Sequence, residues 1–312
     1  MALFDRVAEL IVGQSGGKGV SNKSENGTGL RFSFAIEKTA SSTPNSSVVR
    51  IWNMREETRR IVETVNNAVI LKAGYAQDIG AQTIFAGVVV RSTTLREGAD
   101  WVTELEVADG LIAYRDGKAS LQFPVGSNAL NVVAGIASQF GLPVKPLPTD
   151  VAKTYPLGFS FVGKLRDAMN KACDYADLEW SIVDQEIQVI KKGGVAKKRA
   201  IVLSPDTGMI GSPKPEAKTM SEKNAAKDGL TVDNAGVRVK KSDTTKTGKK
   251  RTTLEVQGYT IDSLLQPSIN PGSYVQVKSF DIDGEFFRVE SVTHRGDTGG
   301  GEWQTSMTLR FI

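Results

Sequence analysis

The side chains that could support catalysis or bind a metal are few in this chain. His294 is the only histidine and Cys173 the only cysteine, so a zinc site or a serine-type triad would have to be built around them without further ligands at suitable spacing. Cys173 falls on the apolar stripe of a predicted helix, which favours a buried small side chain over a nucleophile. His294 stands at a predicted strand end that enters a glycine-rich loop, and we interpret it as part of a turn.

A glycine-rich segment near the N-terminus superficially resembles a phosphate-binding loop. The segment reads Gly13-Gln-Ser-Gly-Gly-Lys18. The phosphate-binding motif requires a glycine five positions before Gly17 and a serine or threonine after the lysine, whereas this chain has Val12 and Gly19 there. We interpret the segment as a flexible connector.

Acidic residues give no clear site either. Asp281-Ile-Asp283-Gly284 lacks the remaining ligands of a calcium loop, and its Asp-Gly pair predicts a tight hairpin turn between two strands. The chain has 35 acidic residues, and no local feature selects two of them as the carboxylate pair of a glycoside hydrolase.

The positive charge is concentrated in one segment. Residues 213–251 hold eleven Lys and Arg against five Asp and Glu, a net charge of +6, so the rest of the chain carries −2 of the total of +4. The segment has few large apolar residues, which predicts a long mobile, solvated excursion. It has no aromatic residue for base stacking, so any contact with nucleic acid would be driven by phosphate and sensitive to salt.

The length of 312 residues allows two or three domains. No apolar run approaches the roughly 20 residues of a membrane span. The segment 3–12 is interrupted by Asp5, Arg6 and Glu9, which predicts a short amphipathic element and not a secretory signal. A single cysteine excludes an internal disulfide, as expected for assembly in a reducing cytoplasm.

The elements that must position these residues are mainly strands. Alternating apolar and polar residues in the first third predict five strands, at 30–36, 48–53, 69–75, 83–93 and 100–108. The spacing of Asn53 and Glu56 resembles a capping box, which predicts a short helix over 55–65. The pattern favours a small barrel or sandwich.

The character of the chain changes after Pro124. Ser127 is a candidate cap for a helix that Gly141 ends, and a second helical stripe runs from Leu165 to Ala176. A hairpin follows, with strands at 178–183 and 186–190, so we expect a helical insertion with its own hairpin over 125–195. Strands resume at 200–203, 252–259, 274–280, 285–293 and 302–312.

Apolar and polar landmarks recur at one constant offset. Phe85 and Phe287 are 202 positions apart (287 − 85 = 202). The other pairs at this offset are Ile84 and Phe286, Val90 and Val292, Trp101 and Trp303, Thr103 and Thr305, Leu105 and Met307, and Val107 and Leu309. The chain is therefore predicted to hold two copies of one small β unit, with the strands that carry both phenylalanines and both tryptophans holding two cores.

Several segments, in order, resemble the baseplate hub proteins of contractile-tailed bacteriophages, the tail hub or late control family. In the first half these are Val49-Arg-Ile-Trp-Asn53, Val69-Ile-Leu-Lys-Ala-Gly-Tyr75, Ile84-Phe-Ala-Gly87 and Asp109-Gly110. In the second half they are Leu203-Ser-Pro-Asp-Thr-Gly208, Ile210-Gly-Ser-Pro213, Leu264-Leu-Gln-Pro267, Pro271-Gly272 and Thr293-His-Arg-Gly-Asp297 followed by Trp303.

This resemblance implies a mainly β (α+β) fold with two similar tube-like β-barrel domains, at 1–124 and 196–312, around the helical insertion at 125–195. It implies a homotrimer whose six β units join a hexameric tail tube to a trimeric spike. The partners would be the tail tube protein, the spike and other baseplate proteins, in the baseplate of a virion assembled in the host cytoplasm. No membrane anchor is expected. The resemblance implies no catalytic residues, cofactor or metal. The basic insertion at 213–251 departs from the family's plainest pattern.

Two other functions remain open at this level. The helical segment 125–195 could bind or cut peptidoglycan, which would make the chain a cell-wall-active tail protein. The basic cluster 246–251 could contact DNA transiently.

Overall fold

A computed structural model describes residues 5–13, 19–25, 29–196, 199–219, 230–232, 238–240 and 254–312. The fold is mainly β, as the sequence predicts, and thirteen of its strands join one sheet. Within the described part of the chain, no helix is long and apolar enough to cross a membrane.

The first third of the chain forms seven antiparallel strands and one helix, α1 (Glu56–Val62). The strands are β1 (Arg6–Gly13), β2 (Gly19–Glu25), β3 (Phe32–Thr39), β4 (Ser46–Trp52), β5 (Ala68–Tyr75), β6 (Gly80–Glu97) and β7 (Asp100–Ala108). Phe32, Phe34 and Ile36 alternate inward along β3, and Ala8, Leu10 and Val12 do the same along β1. All five predicted strands are present, each within a few residues of its expected bounds.

The predicted capping box at the first helix is wrong. Helix α1 follows Arg55 without any side-chain cap. Asn53 instead has a left-handed backbone, with φ of 54°, which asparagine tolerates better than most residues. Its amide group donates to Asp100 Oδ1 at 2.9 Å and accepts from the Trp101 backbone N–H at 3.0 Å. Asn53 therefore ties the end of β4 to the start of β7 and does not start the helix.

The middle of the chain forms a separate helical and hairpin region. Its elements are α2 (Leu111–Asp116), β8 (Lys118–Phe123), β9 (Ser127–Asn128), α3 (Ala129–Ala137), β10 (Thr154–Tyr155), β11 (Phe159–Lys164), α4 (Leu165–Tyr175), β12 (Leu178–Val183) and β13 (Glu186–Lys191). The cap of α3 is Asn128, whose side chain accepts from the Leu130 N–H at 2.8 Å. The proposed cap Ser127 is therefore one residue early, and its hydroxyl donates to the Pro124 carbonyl instead.

The last third returns to strands. They are β14 (Ile201–Leu203), β15 (Met209–Thr219), β16 (Leu230–Val232), β17 (Arg238–Lys240), β18 (Leu254–Leu264), β19 (Tyr274–Lys278), β20 (Asp283–Asp297) and β21 (Trp303–Phe311). The predicted mobile excursion over 213–251 lies mostly outside the described residues, although β15 continues to Thr219 within it. The glycine-rich connector 13–18 lies almost wholly outside them as well.

Five strands of the first third and five of the last third are arranged in the same order. The spatial order is β3-β4-β7-β6-β5 in one and β15-β18-β21-β20-β19 in the other, with every neighbouring pair antiparallel. In each set the chain visits the positions in the same sequence. The repeat found at the offset of 202 therefore corresponds to a repeated topology.

Most residues matched by the repeat are buried in both copies. Phe85 and Phe287 lie in the cores of their respective sheets, and Thr103 and Thr305 are both buried. Leu105 and Val107 match Met307 and Leu309 as buried apolar residues. Phe286, in contrast to its buried counterpart Ile84, is half-exposed and stacks on Tyr274 with ring centroids 5.0 Å apart.

Buried apolar residues form three clusters. One contains residues between 8 and 107, together with Leu265 and Trp303 from the end of the chain. A second contains residues between 119 and 189, where α3 and α4 pack on the β12–β13 hairpin, and a third contains residues between 203 and 309. The participation of Leu265 and Trp303 in the first cluster shows that the two β regions pack directly on each other.

Candidate assembly surfaces

The two β regions are joined by a seam between β20 and β3. The second half of β20 pairs with β3 in antiparallel register, from Ser291 opposite Thr39 to Asp297 opposite Ser33. The end of the seam is fastened by Arg31, which donates to both carboxylate oxygens of Asp297 at 3.1 and 2.7 Å. Burial, the largest single effect, raises the pKa of Asp297, but the hydrogen bonds from Arg31 and the Gly299 N–H, together with the charges of Arg31 and Arg6, outweigh it and lower the pKa of this carboxyl.

Trp303 is buried because of this seam. Its ring meets Phe34 of β3 edge to face, with centroids 5.6 Å apart, and the Arg6 guanidinium lies 5.5 Å from the ring centroid. Only 3% of the residue is exposed. Trp303 thus belongs to the core of the opposite β region.

Trp101, the counterpart of Trp303 in the first β region, is not a core residue. It is 50% exposed, so the interpretation that both tryptophans hold cores is wrong for Trp101. The physical reason is that the seam brings Phe34 of β3 against Trp303, whereas no strand is paired at the matching place beside β6 to cover Trp101. Burial of this tryptophan depends on a neighbouring sheet and not on its own strand.

Both β regions have open strand edges within the described part of the chain, among them β2 and β14, which each pair with one strand. In the first region, residues 91–97 of β6 pair only with β7, because β5 pairs with β6 no further than Val88. In the second region, β15 pairs only with β18. Exposed apolar side chains lie along these last two edges: Leu95 and Trp101 at β6, and Ile210 at β15.

A buried polar junction connects the helical region to both β regions. The Lys38 ammonium, at the end of β3, donates to Asp184 Oδ2 at 2.6 Å and to Asn270 Oδ1 at 2.9 Å. Asp184 lies at the tip of the β12–β13 hairpin, and Asp109 accepts hydrogen bonds from the backbone N–H groups of Asp184 and Gln185. Burial is the main cause of both pKa shifts here: it lowers the pKa of Lys38 and raises that of Asp109 to about 7.

This junction was missed by the sequence analysis, although one signal was present. Lys38 continues the inward-facing alternation of Phe32, Phe34 and Ile36, at a position where an apolar residue is expected. A lysine on the buried face of a strand implies a carboxylate partner from elsewhere in the fold. The sequence does not identify that partner, because Asp184 is 146 positions away.

His294 lies within β20 and not in a turn, so that interpretation is corrected. The residue is fully buried, and its Nδ1 shares a hydrogen bond with Thr305 Oγ1 at 2.9 Å. Burial, reinforced by the nearby Lys38 charge, lowers its pKa to about 3. A neutral imidazole on an inward position of the strand has a packing role here.

Cys173 lies on the buried face of α4, as the sequence predicts. Burial raises the pKa of its thiol to about 12, so the thiolate needed for nucleophilic attack is not accessible at neutral pH. Cys173 is therefore a packing residue.

The acidic candidates form a turn. Gly284, with φ of 75°, follows Asp283 where β20 begins, and Asp281 lies in the connection from β19. Among the residues the structure describes, no group of three His, Cys, Asp or Glu side chains is placed to hold a metal ion.

A groove of about 1010 Å³ separates the β12–β13 hairpin from the loop before β14. Two of its acidic side chains pair with lysines: Asp150 with Lys191 at 2.5 Å and Glu186 with Lys145 at 3.8 Å. Both ion pairs join the segment 145–150 to β13, which favours a structural contact within this region.

The fold is therefore a duplicated antiparallel β arrangement with a helical region between its copies, and its exposed features are strand edges. Solved structures share this fold. The chain aligns with the 43 kDa tail protein of prophage MuSo2 from Shewanella oneidensis at a TM-score of 0.60 and 10% identity, over 96% of both chains. It aligns with a tail protein from Neisseria meningitidis MC58 at a TM-score of 0.60 and 12% identity, over 99% of this chain and 97% of that one.

A third neighbour is the Escherichia coli c3393 protein, a type VI secretion system component described as structurally similar to the T4 tail proteins gp27 and gp5. It aligns at a TM-score of 0.50 and 10% identity, over 91% of this chain and 73% of that one. No family profile and no curated protein matches the sequence. The structural neighbours of this chain are thus phage tail proteins and a related secretion component, and they share its fold.

Proposed function

We propose that this chain is the structural hub of a contractile phage tail baseplate, which forms a homotrimer and joins the hexameric tail tube to the trimeric spike. The observation that carries the proposal is the repeated strand order, β3-β4-β7-β6-β5 and β15-β18-β21-β20-β19, within a chain that has the fold of phage tail proteins.

The repeat suits an adaptor between two symmetries. Three copies of a chain with two similar β units present six similar faces, which match a six-fold partner, while the true three-fold axis matches a three-fold partner. In this proposal the residues 1–124 and 196–312 are the two tube-like β-barrel domains, and 125–195 is the helical insertion between them.

The hub acts by binding and not by catalysis. Its partners are the tail tube protein, the spike and other baseplate proteins, and its location is the tail of the virion after assembly in the host cytoplasm. The burial of Cys173 and His294 supports this proposal, because the two side chains best suited to nucleophilic or acid–base chemistry are held in cores.

The decisive experiment measures the mass of the purified chain in solution across a concentration series, followed by electron microscopy of the assembled species. We expect a trimer whose averaged projection is a ring with six similar densities and true three-fold symmetry. A chain that stays monomeric at every concentration, both alone and in a lysate containing the other tail proteins, would contradict the hub.

Two assays separate the hub from the other functions considered. The hub predicts no retention on peptidoglycan and no lysis of cell-wall preparations. It also predicts no salt-dependent DNA binding in a titration across ionic strengths, since phosphate contacts would weaken steeply as salt rises.

A further inference from the structure

We propose that the open edge of β6 in one copy of this chain pairs with β15 of the next copy, and that this contact repeats the seam between β20 and β3 within the chain. The inference rests on the proposed trimer and assigns the surface that closes it. The internal seam supplies the template, because β20 is the counterpart of β6, and β3 is the counterpart of β15.

The pairing registers fix which residues correspond. Leu105 matches Met307 at the offset of 202, and their cross-strand partners are Val49 and Ile261. The residues that precede these partners on β4 and β18, Val48 and Thr260, therefore match as well.

The next strand out follows from the same registers. Val48 lies opposite Ala35, and Thr260 lies opposite Lys214, so Ala35 corresponds to Lys214.

The internal seam then predicts the contact between copies. Arg295 lies opposite Ala35 in that seam and opposite Gln304 on β21. Gln304 matches Val102 at the offset of 202, and Val102 pairs with Leu95, so Leu95 is the counterpart of Arg295.

Leu95 of one copy should therefore lie opposite Lys214 of the next copy. Both residues are exposed in the isolated chain, as a contact between copies requires.

The two tryptophans support the same contact. Trp303 is 3% exposed because β3 covers it, whereas Trp101 is 50% exposed at the matching place beside the open edge. Leu95 is 61% exposed on the same edge, and Ile210 on β15 is 43% exposed. Covering these side chains would remove apolar surface from water at both edges.

The backbone alternation shows which groups face the open edges. In the internal seam, the backbone N–H and C=O groups of the even-numbered residues point toward the partner strand. The Ala40 N–H donates to the Glu290 carbonyl, and the Thr298 N–H donates to the Phe32 carbonyl. By correspondence, the backbone N–H and C=O groups of the even-numbered residues of β6 point toward its open edge. On β15, the backbone of Lys214 points toward β18, so the backbone of the next residue, Pro215, points toward the open edge.

Proline has no N–H to donate, and edge strands commonly use it to discourage indiscriminate pairing. The contact between copies therefore has fewer backbone hydrogen bonds than the internal seam and depends more on apolar side chains. Such an edge can remain open in a free chain and close only in the assembly.

A disulfide trap tests the register. Leu95 and Lys214 would form a non-hydrogen-bonded pair, in which the Cα atoms lie about 4.5 Å apart, within the range for a disulfide. We expect Leu95→Cys combined with Lys214→Cys to give a covalent trimer under mild oxidation, because each chain supplies one cysteine to each neighbour. Even a short-lived ring is captured, because each disulfide that forms keeps two copies linked and the covalent trimer accumulates with time.

The controls keep the same chemistry and change the geometry. Each single-cysteine variant should give no covalent trimer, and native Cys173 is buried and does not compete. Arg91→Cys with Lys214→Cys places one cysteine four residues away on the same strand, about 13 Å from the matched position, and should cross-link far less. Peptide mapping should identify a bond between residues 95 and 214.

The outcomes separate this inference from the hub itself. A trimer by mass without the 95–214 disulfide, or with equal cross-linking of the Arg91 control, overturns the seam and leaves the hub standing. A chain that is monomeric by mass and gives no covalent trimer overturns both.

Discussion

At the scale of single residues, burial is decided by what lies beside a strand as much as by the strand itself. Trp101 and Trp303 have the same residue type and the same place in the repeat, yet one is half-exposed and the other buried. Arg6 and Phe34 of the opposite β region account for the difference, because they cover Trp303 alone.

The two tryptophans should therefore differ in their contribution to stability. We expect Trp303→Ala to lower the free energy of unfolding by about 3 to 5 kcal/mol, the usual cost of truncating a buried aromatic residue. Trp101→Ala should cost below about 1 kcal/mol, as exposed substitutions usually do. Urea unfolding of both variants at a concentration where the chain is monomeric measures this, and equal costs would show that the exposure difference is absent in solution.

Asp109 and His294 should have opposite effects on stability as the pH falls. The folded pKa of His294 is about 3, below its usual 6.5, so its contribution is complete above about pH 6.5 and is lost as the pH falls toward 3. The folded pKa of Asp109 is about 7, above its usual 3.8. Its contribution is complete below pH 3.8, is lost as the pH rises through 7, and so grows on acidification.

Removing Asp109 should expose the histidine effect. As the pH falls from 7 to 4.5, we expect the free energy of unfolding of Asp109→Asn to decrease more than that of the unchanged chain. The reason is that the Asp109 carboxyl, which takes up a proton on folding and so opposes the effect of His294, is no longer present. Urea midpoints at several pH values measure the slope. Parallel slopes for the two proteins would show that the Asp109 carboxyl ionises normally when folded.

At the scale of elements, the junction of Lys38, Asp184 and Asp109 holds the β12–β13 hairpin against both β regions. The hairpin tip has left-handed backbone at Asp184 and Gln185, with φ of 56° and 63°. This conformation directs two neighbouring N–H groups toward the Asp109 carboxylate. The turn is thus both a strand connection and a docking contact.

Loss of Lys38 should loosen this docking. We expect Lys38→Met to cost about 3 kcal/mol, because removal of one member of a buried pair leaves the other charge without compensation. The amides of Asp184 and Gln185 should exchange faster with solvent. Lys72→Met is the control, since its ion pair with Glu9 is partly exposed and should be worth less than about 1 kcal/mol.

Gly258 is required by close approach of two strands. A Cβ at this position would lie 1.7 Å from the carbonyl oxygen of Leu309 in β21. We expect Gly258→Ala to cost about 2 kcal/mol or more, because the backbone of β18 must move. The corresponding position of the first β region is Ser46, which already carries a Cβ, so Ser46→Ala should be close to neutral; an equal effect in both variants would refute the argument.

At the scale of the whole molecule, one sheet passes through both β regions and, within the described residues, has open edges at β15 and along residues 91–97 of β6. The internal seam shows what such an edge does when a partner is present: it buries a tryptophan and fastens itself with Arg31 and Asp297. The proposed ring repeats that contact between copies.

Hydrogen exchange should report closure of the ring. We expect the amides of Ser92 and Thr94 to exchange rapidly in the monomer and to become protected in the trimer, since they face the open edge. The amides of Val292 and His294, at the matching positions, should be protected in both states. Unchanged exchange at residues 92 and 94 on trimerisation would show that the ring closes elsewhere.

The sequence by itself determined the class and order of the elements. Period-two alternation identified the strands of both β regions, helical spacing identified α3 and α4, and the offset of 202 identified the repeat. These features depend on local periodicity and on residues a few positions apart, which a single sequence displays directly. Helix caps were less well determined, because Asn53 and Ser127 found other partners in the folded chain.

Only the tertiary structure decided which residues matched by the repeat have the same burial and the same kinds of contact in both copies. The exposure of Trp101, the burial of His294 within a strand, and the junction of Lys38 with Asp184 all depend on contacts between residues far apart in the chain. No local pattern encodes such a partner, because burial is set by the surface that another part of the molecule brings to the residue.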